Sequence, residues 1–176
     1  MHAKSLFPVS TIMLAVWVNA QEDDRAPLTV DSAQGPVMVL PRMDTADPGS
    51  MVVGDVRINI SIEDGFRVLR AHQDGDIRTV YEPVDGPVRR YAYDPAERRF
   101  DQVTPTLRVR LSDAERLDEV VASSGALRGK NYPALGWALL HLPAEVNPAN
   151  VARTLAENPI VLSTEVVLKE PLRVPQ

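Results

Sequence analysis

The chain contains no cysteine. That excludes disulfides, thiolate nucleophiles and cysteine-held metal sites. Aromatic residues are scarce, at 5% of the sequence. The three histidines, His2, His72 and His141, stand far apart along the chain. No His-Glu-x-x-His pair and no glycine-rich phosphate loop occurs. Acidic residues gather near glycine turns, but never at the alternating spacing of a calcium loop with its closing glutamate. Arg89-Arg90 and Arg98-Arg99 are isolated basic pairs with acids nearby, so there is no footprint for nucleic acid. These absences read as a non-enzyme with no cofactor and no metal.

The longest apolar run among the first residues, Val9–Val18, is too short to span a bilayer. With Lys4 before it and Val18-Asn19-Ala20 after it, it reads as a signal peptide over residues 1–20, cleaved before Gln21. The expectation is a secreted or periplasmic protein, bacterial by its lack of cysteine, with no membrane contact in its mature form.

Charge divides the remainder. Residues 21–104 hold 16 acidic side chains against 10 arginines, whereas residues 105–176 hold eight of each sign. Residues 21–50 are rich in Pro, Asp, Gly and Ser and read as an irregular acidic arm, with one strand at Val37–Leu40 bracketed by Pro36 and Pro41. Residues 51–103 read as an antiparallel β meander. Val56, Ile58, Ile60 and Ile62 alternate with polar residues. Glu63-Asp64-Gly65, Gln73-Asp74-Gly75 and Asp85-Gly86 then punctuate short apolar runs, and Asp-Gly between such runs is a hairpin signal. His72 beside the second turn reads as solvated.

Residues 104–176 form the most informative block. Thr106–Leu111 alternates, with Leu107, Val109 and Leu111 on one face and Thr106, Arg108 and Arg110 on the other. Ser112 and Glu115 have capping-box spacing before a helix that ends at Gly125. Leu135–Leu142 (LGWALLHL) is a nearly continuous apolar run of strand length, with His141 near its end as a structural or interface residue. Asn147 caps a second helix with Pro148 at its first position, and Asn158-Pro159 stops it. Val161–Leu168 reads as the last strand. The expected fold class is α+β: a ferredoxin-like βαββαβ C-terminal domain preceded by a small antiparallel meander.

Within this block Trp137, Leu139, Leu140, Pro143, Leu155, Asn158, Pro159, Val161, Ser163 and Glu165 form a pattern that resembles the propeptide of subtilisin-like serine proteases, an inhibitor I9-like domain. The resemblance covers roughly residues 105–170. No catalytic Asp-Thr-Gly, His-Gly-Thr or Gly-Thr-Ser-Met accompanies it; Asp44-Thr45-Ala46 lacks the glycine. It implies a stand-alone protein that acts in trans on a subtilisin-like serine protease, as inhibitor, folding chaperone or both. Trp137, Leu139, Leu155, Val161 and Glu165 are its motif and core residues, with Leu139 and Leu155 expected in the core and Trp137 expected either there or at the enzyme-facing edge. The tail of Pro171, Leu172, Arg173, Val174, Pro175 and Gln176 is expected to lie in the protease cleft. Two other readings stay open: the N-terminal prodomain fragment of a longer subtilase, and a ferredoxin-like module for a small molecule or a structural role.

Overall fold

Residues 37–40 are apolar at every position, and every one of them is buried. A strand can bury both faces only between two layers, and that is how the chain is built. The computed structural model describes residues 26–42 and 48–169. The expected signal peptide and the tail Pro171–Gln176 lie outside the described residues.

Strands β1 (Leu28–Ser32) and β2 (Gly35–Val39) form a hairpin. Strands β3 (Gly49–Val53), β4 (Val56–Glu63), β5 (Phe66–Gln73) and β6 (Asp76–Pro83) form a four-stranded antiparallel sheet in sequence order. Asp64-Gly65 and Asp74-Gly75 turn two of its three hairpins with positive φ at both residues of each pair. That mirror-image turn matches strand twist, and it needs a residue pair tolerant of left-handed angles.

The chain continues through β7 (Arg90–Asp94), β8 (Arg99–Leu111), helix α1 (Leu117–Ser124), β9 (Arg128–Tyr132), β10 (Trp137–His141), helix α2 (Pro148–Ala156) and β11 (Val161–Leu168). A seven-stranded sheet runs β11-β1-β2-β7-β8-β10-β9. Because β11 also pairs with β8, the strands β11, β1, β2, β7 and β8 close into a five-stranded barrel. The length of β8 makes this possible. Its first part pairs with β7 from Asp94↔Arg99 to Arg90↔Val103, and its second part pairs with both β10 and β11. Irregularities in β11 between Val161 and Ser163 and between Val166 and Leu168 supply local bending.

Two cores result. Val37, Val39, Ala92, Leu107, Val109, Leu140 and Val166 fill the barrel side, capped by Val120 of α1 and by Ala149, Ala152 and Leu155 of α2. Met38, Leu40, Tyr91 and Tyr93 point the other way, against Ile58, Ile60, Leu69 and Ala71 of the four-stranded sheet. Alternate residues of β2 and β7 thus serve opposite cores.

The architecture is mostly β, with a closed barrel and two α-helices among the described residues. This corrects the expected ferredoxin-like α+β domain preceded by a separate meander. The elements from β8 to β11 do follow the order strand, helix, strand, strand, helix, strand. They do not make a free-standing four-stranded layer, because β1 joins β11 and β7 joins β8. The supposed irregular arm supplies β1, β2 and the start of β3. The last strand of the supposed meander, β7, leaves β6 and pairs with β2 and β8. A boundary at residue 103 falls inside β8. Local turn signals report which strands are neighbours in sequence. They carry no information about the distant strand that closes a barrel.

The helix caps differ in detail. Asp113, and not Ser112, accepts the Glu115 N–H at 3.0 Å and opens a short 3-10 turn before α1. The Ser112 hydroxyl instead donates to the Ile160 carbonyl at 3.2 Å, tying β8 to the start of β11. At α2, Asn147 accepts the Ala149 N–H at 3.0 Å, with Pro148 at the first turn.

Candidate docking face

Ala138 and Leu140 of β10 point into the core. Strand alternation therefore turns Trp137, Leu139 and His141 to the opposite face. On β8 the same alternation buries Leu107 and Val109 and turns Thr106, Arg108 and Arg110 outward. Register then assembles a grid. Leu139 lies opposite Arg108 on one side and Lys130 on the other, and Glu165 of β11 lies opposite Arg108. His141 lies between Thr106 and Arg128, and Trp137 stands opposite Tyr132.

The outer surface of this sheet has two fates. Over β2 and β7 it is covered by the four-stranded sheet, through Met38, Tyr91 and Tyr93. Over the second half of β8, β10 and β9 no described element packs on it, and Trp137 and Leu139 remain half-buried.

The exposed sector is held in place by its own polar and aromatic contacts. The Tyr132 and Trp137 rings lie 4.7 Å apart, centre to centre, tilted by 40°. The Arg108 guanidinium lies 5.8 Å from the centre of the Trp137 ring and also pairs with Glu165. The Lys130 ammonium lies 4.9 Å from the centre of the Tyr132 ring. A cation over an aromatic face is attracted by the ring's negative π surface. These contacts restrict the rotamers of long side chains before any partner arrives, which lowers the entropy cost of docking. Chemically the face is suited to binding. Its one histidine contact, Thr106 Oγ1 to His141 Nδ1, is long at 3.5 Å.

Of the residues singled out in the sequence, Trp137, Leu139 and Glu165 meet on this face, and Leu155 and Val161 lie in the core on the other side of the sheet. Trp137 and Leu139 thus do not join the core that Leu140 helps to build; they are half-buried on the opposite face. The run LGWALLHL is apolar on both faces, but only one of its faces is covered. Arg108, Arg110 and His141 were legible as outward or interface residues. Tyr132, Lys130 and Arg128 were not, because Arg128–Tyr132 (RGKNY) lacks the apolar alternation that marks a strand. Its usable signal was the reverse pattern: the small Gly129 faces inward beneath Val121 and Leu117 of α1, between two outward cations.

A concavity of about 280 Å³ lies on the four-stranded sheet, lined by Asp55, Arg57, Asn59, His72, Gln73 and Asp74 among others. Most of its polar groups are already engaged. Gln73 donates to Asp55 at 3.0 Å and accepts from the Tyr93 hydroxyl at 3.0 Å, and His72 meets Asn59 at 3.3 Å. Burial pushes the Tyr93 phenol above its ordinary pKa, so it stays a hydrogen-bond donor. His72, expected to be solvated, is half-buried here. This network links β5 to β7, and no group of three or more metal-binding side chains occurs among the described residues.

Comparison of the chain with family models, with curated proteins and with solved structures returns no match.

Proposed function

We propose that this protein is an exported, non-catalytic binding protein that acts in trans on a subtilisin-like serine protease, as inhibitor, folding chaperone or both. The observation that carries the reading is the division of the propeptide-like stretch between two faces. Leu140, Leu155 and Val161 build the core, whereas Trp137, Leu139 and Glu165 are displayed together on a sheet surface that no described element covers. Tryptophan, tyrosine and arginine dominate the energetics of protein interfaces, because they bury large area with few rotatable bonds or with directed hydrogen bonds. Here all three types stand side by side.

In the resembled family the segment after the last strand enters the catalytic cleft. By that analogy the sheet face provides most of the affinity and Pro171–Gln176 provides the block. The test uses the full mature chain against a panel of secreted subtilases, with binding, inhibition and protease refolding measured separately. Trp137→Ala should weaken binding to its partner by at least tenfold. Deleting residues 171–176 should weaken inhibition far more than binding. Absence of binding to every subtilase, including any encoded beside this gene, would remove the proposal.

A further inference from the structure

The uncovered face differs in charge from the rest of the molecule. The chain as a whole carries a net charge of −5. On this face Arg108, Arg110, Arg128 and Lys130 stand against one carboxylate among the described strand residues, that of Glu165. That carboxylate is already paired with Arg108. Lys130 sits over Tyr132, and Arg110 and Arg128 make no ion pair among the described residues and are exposed. The apolar group of Trp137, Tyr132 and Leu139 is therefore bordered by uncompensated positive charge on an otherwise acidic protein.

We infer that the surface docked by this face is acidic: a protein surface that sets carboxylates around a central apolar contact. The inference rests on the proposed docking role of the same face and specifies the chemistry of the partner. The polarity of the molecule gives the physical reason. An acidic partner is attracted to this sector and repelled by the remainder, so the charge pattern selects the orientation of encounter as well as the partner. Trp137, Tyr132 and Leu139 then supply the short-range contact that charge alone does not.

The test compares the full chain with R110E/R128E. Both side chains are exposed, so the fold should be kept, and circular dichroism checks this. The probes are poly-L-glutamate, poly-L-lysine, a single-stranded oligothymidylate and the panel of secreted subtilases, each titrated at low and at molar salt. Poly-L-lysine, drawn to the acidic remainder, should bind R110E/R128E no more weakly than wild type, whereas poly-L-glutamate should bind the wild-type chain through this face. Affinity should fall as salt rises, because exposed charges are screened, and R110E/R128E should lower it at least tenfold. Where a subtilase binds, the same variant should slow its association by a similar factor. Failure to bind poly-L-glutamate, or equal binding by wild type and variant, would overturn the inference. So would tighter binding of the oligothymidylate than of poly-L-glutamate, which would assign the face to nucleic acid. If poly-L-glutamate binding depends on Arg110 and Arg128 while no subtilase binds, the acidic-partner inference stands and the protease assignment fails. If a subtilase binds wild type and variant alike, the reverse holds.

Discussion

Ser32 of β1 pairs in parallel with Val166 of β11, and that pairing closes the barrel. It joins a strand near the start of the described chain to the last one. Both cores depend on it indirectly, because it holds the β1–β2 hairpin in place and β2 contributes side chains to each.

A fragment of residues 104–176 should consequently fail to fold cooperatively. It cuts β8 in the middle, removes β7 from one edge and leaves β11 without β1. Exposed strand edges and an open apolar layer favour association over folding. Denaturant titration followed by circular dichroism should give a single sharp transition for residues 21–176 and a broad or absent one for the fragment. A sharp transition in the fragment would mean that the barrel is dispensable.

Trp137 and Leu140 are separated by three positions on β10 and so face opposite sides of the sheet, and truncation should cost them unequal amounts. Leu140 is fully buried, so Leu140→Ala should cost about 2–5 kcal/mol through lost transfer energy and a residual cavity. Trp137 is half-buried, so Trp137→Ala loses part of that transfer energy with a ring contact and a cation–π contact and should cost about 1–2 kcal/mol. Denaturation midpoints of the two variants decide between them. A larger loss for Trp137 would return it to the core.

Gly129 is needed for space. A methyl group there would meet Val121 Cγ2 at 2.6 Å and the Leu117 side chain at 3.1 Å. Gly129→Ala should push α1 from β9 and destabilise the fold by about 1–3 kcal/mol, the usual range for overpacking. The variant Gly129→Ala/Val121→Ala should recover part of that loss. No recovery would place the strain elsewhere.

Arg70 donates two hydrogen bonds to Glu63, at 2.6 and 2.7 Å, and holds its carboxyl below the ordinary 4.5, at about 2. The folded value lies below the unfolded one. The pair's contribution to stability is therefore present above about pH 4.5 and is lost as pH falls toward 2. Glu63 is exposed and Arg70 is half-buried at the surface, so the contribution is small and screened by salt. Unfolding titrations of wild type and Glu63→Gln should differ at neutral pH and converge near about pH 2. A difference that persists or grows in acid contradicts this assignment.

The sequence by itself determined most of the local elements, because local structure obeys local chemistry. Asp64-Gly65 and Asp74-Gly75 specify hairpin turns, Asn147-Pro148 opens α2, and the alternation of Thr106–Leu111 places Leu107 and Val109 opposite Arg108 and Arg110. Tertiary structure alone decided three further things. It set Asp113 and not Ser112 as the cap, and it tied the Ser112 N–H and hydroxyl to the Ile160 carbonyl just before β11. It made Val37–Leu40 a shared wall between two cores, although Pro36 and Pro41 suggested an isolated segment. It left Trp137 and Leu139 half-buried on the outer face while Leu140, which faces the core on the same strand, is sealed. An apolar residue in a strand states that it can be buried. Whether it is depends on which layer packs over its face, and that layer comes from residues remote in the chain.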